Sequence, residues 1–152
     1  MMDEAQTAKA PWHLWAVGLL ALVLNGFHCV DYTMTRMRNV EWLSMGGADP
    51  QAMLAWVDGF PIYAQFGWGL GAWAGLAGAI LLFMRHRWAV PALGLSFLGA
   101  LISLGYQNFV GPTAPPPMDD RSALAMMSAV IIVLTAAFYY YAHRQRKAGV
   151  LR

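Results

Sequence analysis

Residues 25–35 read NGFHCVDYTMT, and they follow the apolar run 14–24 without a break. No proline interrupts the two, so the spacing predicts one continuous helix. That helix is apolar enough to cross a membrane, yet it carries Asn25, His28, Asp31, Tyr32 and Thr35. At 3.6 residues per turn these side chains fall mostly on one face. An ionisable group at a lipid-facing helix centre costs ~2.5–3.5 kcal/mol, and less near an end. The stripe must therefore face protein, a cavity or water.

Composition sets the class. Of 152 residues, 59% are hydrophobic and only 12% charged, where a soluble domain carries about 25%. Mean hydropathy is +0.45. These values point to an integral membrane protein of a single domain. The formal charge of +2 gives no basis for a nucleic-acid partner. Cys29 is the only cysteine, so no internal disulfide forms.

The expected fold is all-α: a four-helix transmembrane bundle with spans at about 12–34, 61–84, 88–110 and 122–142. Residues 1–11 are read as a brief cytoplasmic tail rather than a cleaved signal, because the positive flank is thin and the apolar segment long. Trp12 and Trp15 suit the headgroup level. Arg36 and Arg38 lie close enough to pair with Asp31 or to reach phosphates. Asp49-Pro50 is a helix-start signal, and residues 50–57 make a short amphipathic helix in the first outward loop. It lies on the membrane surface or lids the bundle, with Gly46-Gly47 as the hinge before it.

The second span holds Gly67, Gly71 and Gly75, a doubled GxxxG that clears one helix face for close packing, either within the chain or with a second copy. Trp73, in mid-membrane, is expected to fill space opposite that face. In the third span Ser96, Ser103 and Gln107 share a side with Tyr106 next to it. The loop 111–121, GPTAPPPMDDR, is expected to be extended and stiff. Asp119, Asp120 or Ser122 caps the fourth span, and Tyr139, Tyr140 and Tyr141 form an interfacial belt at its end.

Lysine and arginine orient the bundle. The tail, the 85–88 turn and the C-terminus carry Lys9, Arg85, Arg87, Arg144, Arg146, Lys147 and Arg152; the opposite connections carry Arg36, Arg38 and Arg121. The positive-inside rule then places both termini in the cytoplasm. In that orientation the outward halves of the spans collect the polar groups, while the inward halves are nearly all aliphatic, Gly and Phe. An outward-facing pocket is the expectation, with Asn25, His28, Asp31, Tyr32, Gln65, Trp68, Tyr106 and Gln107 as its ligand-binding residues. Such a mixture suits a small polar or amphipathic ligand. The competing reading is that Asn25, Asp31, Tyr106 and Gln107 only hydrogen-bond helices together.

Other chemistries find little support. Cys29 points ~100° away from His28 around the helix, and the ten methionines are scattered along the chain. No paired-ligand spacing for a metal appears, and no cofactor is expected. A haem held by two histidines would need both at one depth in the membrane, whereas His13, His86 and His143 fall at the cytoplasmic boundary. The basic run 143–147 suits anionic lipid. No nucleophile elbow, Walker loop or HExxH is present, so an enzyme is not expected.

The string Asp31-Tyr32-x-Met34-Thr35-x-x-Arg38-Asn39 resembles the signature of a family of small four-span bacterial membrane proteins. Phe60-Pro61, the Gly67/Gly71/Gly75 span, Arg87-Trp88-Ala89-Val90-Pro91 and Tyr106-Gln107 add to the likeness, which covers residues 12–110. Members are commonly labelled sugar transporters or left uncharacterised. The resemblance implies four spans and an address in the bacterial inner membrane. It assigns no role to any residue. The expected function is therefore non-enzymatic: binding of a small ligand or a partner subunit through the outward pocket. The alternative is transport of a small solute, such as a sugar, by a homodimer or larger membrane complex with the glycine face as its interface.

Overall fold

In the computed structural model, which describes residues 9–152, the chain is helical with no strand among those residues. The elements are α1 (Trp12–Arg36), α2 (Val40–Ser44), α3 (Pro50–Asp58), α4 (Ile62–Phe83), α5 (Ala89–Phe109) and α6 (Arg121–Lys147). Helices α1, α4, α5 and α6 are each long and apolar enough to cross a bilayer, and their bounds lie close to the expected spans. The last span runs further than expected, because α6 continues through its basic end to Lys147. Most of the expected N-terminal tail lies outside the described residues.

Local chemistry sets the helix ends. Asp49 accepts from the Ala52 amide at 3.0 Å and Pro50 opens α3, as the Asp-Pro signal predicts. Asp120 caps α6, taking the Ser122 amide at 2.8 Å. Helix α2 is an element the sequence reading did not foresee. Asn39 caps it through its side-chain oxygen, which accepts from the Trp42 amide at 2.9 Å. The reversal ahead of it needs Arg38 in the left-handed region, at φ 56°. That conformation costs ~1–2 kcal/mol for a residue with a Cβ. Pro91 falls in the first turn of α5, where its missing N–H costs nothing.

Glycine packing builds the centre. Helices α4 and α5 form the most extensive contact, and α1 and α6 flank them on either side. The doubled GxxxG of α4 faces inward. A Cβ at Gly67 would sit 2.8 Å from the Ile102 side chain, and one at Gly78 2.7 Å from Leu93. The closest backbone-to-backbone approach is at α5. A Cβ at Gly99 would lie 2.5 Å from both Gly67 O and Gly71 N, a collision with backbone that cannot move aside. Ser96 fastens the seam by donating to Gly71 O at 2.8 Å. Farther along, Gly75 leaves room for the Asn25 side chain of α1. This face is thus filled by α5 and α1 of the same chain, and a second copy would have to use another surface. Trp73 is 54% exposed, so it points away from the bundle rather than filling packed space.

The two ends of the bundle differ. At the end carrying the 85–88 turn and the C-terminus, called the basal end here, Leu14, Leu82, Leu93, Phe138 and Ala142 form one buried cluster. His13 of α1 and Tyr141 of α6 bond at 2.6 Å, closing the ring of helices there. Past α6 the chain turns at Gly149, φ 71°, and seats Val150 and Leu151 in that cluster. Arg152 N donates to Arg85 O at 2.8 Å, and Arg87 N to Arg152 O at 2.6 Å. At the other end, the cap end, α2, α3 and the Pro-rich loop lie over the helices and α6 stands apart from α1.

Candidate ligand cavity at the cap end

The gap between α1 and α6 holds a cavity of about 470 Å³. From α1 it receives Phe27, His28, Asp31 and the buried Thr35. His28, Asp31 and Thr35 recur every three to four residues and belong to the stripe foreseen from sequence; Phe27 does not. Helix α4 contributes Trp68 beside the bare backbone of Gly67 and Gly71, and α5 contributes Ser103 and Gln107. The α6 wall is apolar, with Leu124, Met127 and Ile131.

Helices α2 and α3 form the lid. Their inward faces supply Trp42 and Trp56, with Met53 between them in sequence. Each tryptophan is tied by its indole N–H. Trp42 donates to Asp31 Oδ1 at 3.0 Å, and Trp56 donates to Pro112 O at 3.0 Å. The lid is therefore anchored to α1 on one side and to the Pro-rich loop on the other. Arg38 and Asp58 add an exposed ion pair at 2.7 Å between the start of α2 and the end of α3. Such a pair contributes ~0–1 kcal/mol, so the two indole bonds and apolar contact carry most of the closure.

Of the eight expected ligand-binding residues, His28, Asp31, Trp68 and Gln107 line the cavity. The other four are placed elsewhere. Asn25 is buried at the α1–α4–α5 junction beside Gly75 and donates to Ala21 O at 2.8 Å. Tyr32 wedges between α1 and α4: its hydroxyl lies over Gly69, and its ring meets Trp68 edge-on at 4.9 Å. Gln65 accepts from Arg36 Nη1 at 3.1 Å and donates to Phe60 O at 2.7 Å, which clamps the end of α1 to the start of α4. Tyr106 stacks edge-on against Phe60 and Tyr63, at 5.2 and 5.9 Å. These four pack or bond against neighbouring elements rather than line the cavity, and of them only Gln65 makes a side-chain hydrogen bond to another helix. Arg36 and Arg38, expected near Asp31, instead pair with Gln65 and Asp58. Arg36, still helical, lies five residues beyond Asp31 and so ~140° around α1, and the reversal at Arg38 carries that residue off the helix altogether.

Sequence reasoning missed much of the lining. Four methionines distant in sequence, Met45, Met53, Met118 and Met127, gather at this one cavity. The signals for the lid were the Asn39 cap and the spacing of Met53 and Trp56, but which way α2 and α3 face depends on the turn at Arg38. Ser103 is 3% exposed and accepts from Gln107 Nε2 at 3.2 Å, so the two act as one polar point on the α5 wall. Among the described residues, no three His, Cys, Asp or Glu side chains converge on one position.

Searches against family models, curated proteins and solved structures found no match. The chemistry of the cavity must therefore be read from its own walls. Apolar side chains make most of the lining, five aromatic rings and four thioethers among them. Thioethers are flexible and polarisable and adapt to irregular apolar shapes. The polar groups lie on the α1 side, at His28, Asp31 and Thr35, and at the Ser103–Gln107 pair opposite. Such a lining can hold an apolar body and can meet one polar end with hydrogen bonds and charge.

Proposed function

We propose that this chain is a non-enzymatic multi-pass membrane protein that binds a small, mainly apolar molecule with one polar end in its cap-end cavity. The observation that carries this reading is the lining: three tryptophans and four methionines surround a few polar groups, His28 and Asp31 foremost. A free sugar carries hydroxyls all round its ring, and those turned to the apolar α6 wall of Leu124, Met127 and Ile131 would lose their hydrogen bonds to water. Transport has a second difficulty. The basal end is filled by Leu14, Leu82, Leu93 and Phe138, which belong to one buried cluster. A polar path would need that cluster to open.

The address is the bacterial inner membrane, with both termini in the cytoplasm. Its support is the division of cations between the two ends: Arg85, Arg87, Arg144, Arg146, Lys147 and Arg152 are basal, and Arg36, Arg38 and Arg121 lie at the cap end. The cavity then faces the outer side of that membrane.

Indole fluorescence tests the binding. Trp42, Trp56 and Trp68 line the cavity, so a brominated fatty alcohol that enters it quenches them saturably. Ser103→Leu fills part of the space and removes the saturable component. Quenching that rises without saturation, equally in both proteins, contradicts the proposal.

A further inference from the structure

A second depression lies on the outer face of the α5–α6 seam, with a volume of about 370 Å³. Its long walls are apolar, including Leu101 and Leu104 of α5 and Ala125, Ala129 and Ile132 of α6. Arg121 stands at its mouth, held by two bonds from its guanidinium to Thr113 Oγ1, at 3.2 and 3.0 Å. From Arg121 to Ile132 the axial rise is ~16 Å at 1.5 Å per residue. That is about half of the ~30 Å hydrocarbon thickness, the depth of one leaflet.

Charge distinguishes this place from the rest of the cap end. Arg38 is paired with Asp58, and Arg36 is bonded to Gln65. Arg121 has no carboxylate partner among the described residues. A guanidinium carries five N–H donors, and Thr113 occupies two. Asp120 is adjacent in sequence, but its Oδ1 is turned to the Ser122 hydroxyl and amide at 2.6 and 2.8 Å, and neither it nor Asp119 lines the groove. The result is a cation held in place at headgroup level above an apolar channel one leaflet deep.

We infer that this groove is a binding site for an anionic phospholipid, with one acyl chain along α5 and α6 and the phosphodiester on Arg121. The site is separate from the cap-end cavity and does not depend on what that cavity binds. Leu104, Gln107 and Leu124 form the partition between them and border both. Arg121 and Ala129 border only the groove, so variants there report on it alone.

The experiment is native mass spectrometry of the full chain in detergent, titrated with equal amounts of phosphatidylglycerol and phosphatidylcholine with identical chains. The guanidinium–phosphate contact is open to both lipids, but only phosphatidylglycerol brings net negative charge to a guanidinium that forms no ion pair among the described residues. The expected preference for it is ~10-fold. Arg121→Gln reduces the ratio to near one, Arg121→Lys retains most of it, and Ala129→Leu lowers occupancy by both lipids. Excess inorganic phosphate leaves the lipid bound. Equal binding of the two lipids by the unaltered chain, an undiminished preference in Arg121→Gln, or displacement of the lipid by phosphate alone would overturn the inference.

Discussion

Trp42 donates its indole N–H to Asp31 Oδ1 at 3.0 Å, so the first lid helix is fastened to the carboxylate of α1 that faces the cavity. Asp31 thus serves the closure of the cavity as well as its charge, and two substitutions separate these roles. Trp42→Phe removes the donor and keeps the ring; it should cost ~1 kcal/mol and speed amide exchange across α2 and α3. Asp31→Asn keeps an acceptor oxygen for Trp42. It should leave stability and exchange near those of the unaltered protein while weakening binding in the cavity. Exchange in the lid that is unchanged by Trp42→Phe would show that this bond does not hold it.

Two glycines in the same seam should respond unequally to alanine. A Cβ at Gly99 meets the α4 backbone at 2.5 Å, whereas one at Gly71 has its nearest neighbour at 3.5 Å, an ordinary contact. Gly99→Ala should destabilise the bundle by ~1–3 kcal/mol or more. Gly71→Ala should stay within ~1 kcal/mol, because improved helix propensity offsets slight crowding. Thermal unfolding in detergent measures both. Equal losses at the two positions would mean that α4 and α5 do not approach most closely at Gly99.

These particulars show how far the sequence could be read. The four long helices were legible because hydrophobic length and the charge at their ends are local properties. The Asp49-Pro50 start of α3 was legible for the same reason. At the cavity, helical periodicity put His28 and Asp31 on one face, and both line it. It also put Asn25 and Tyr32 on that stripe, and they belong to helix contacts instead. Deciding between a cavity and a neighbouring helix requires the crossing of α1 over α4, which Gly69 and Gly75 set from another chain segment. The gathering of Met45, Met53, Met118 and Met127 is likewise a tertiary fact, because no spacing relates residues on three separate segments.

Acid should weaken the start of α6. The Ser122 hydroxyl, then the Ser122 and Ala123 amides, hold the Asp120 carboxyl below its usual range. A carboxylate favoured by the fold stabilises it above the unfolded value, ~3.9, and that contribution is lost as pH falls through the lower folded value. Asp120→Ala should therefore melt below the unaltered protein at neutral pH, and the gap should close in strong acid. A gap independent of pH would assign the loss to packing rather than to the charged cap.

Orientation can be checked by labelling. Cys29 is buried, and Cys29→Ser leaves a background in which Pro116→Cys places a thiol in the Pro-rich loop. A membrane-impermeant maleimide should label it from the outer side. Labelling only from the cytoplasmic side would reverse the topology proposed from the cation distribution.

The most direct measurement is native mass spectrometry of the protein extracted gently from its own membrane, alongside Asp31→Asn and Ser103→Leu. A small amphipathic molecule should accompany the unaltered protein and be lost from both variants, while phospholipid adducts persist in all three. A protein that carries no such molecule, or one bound equally by all three, would contradict the assignment of the cap-end cavity as a ligand site.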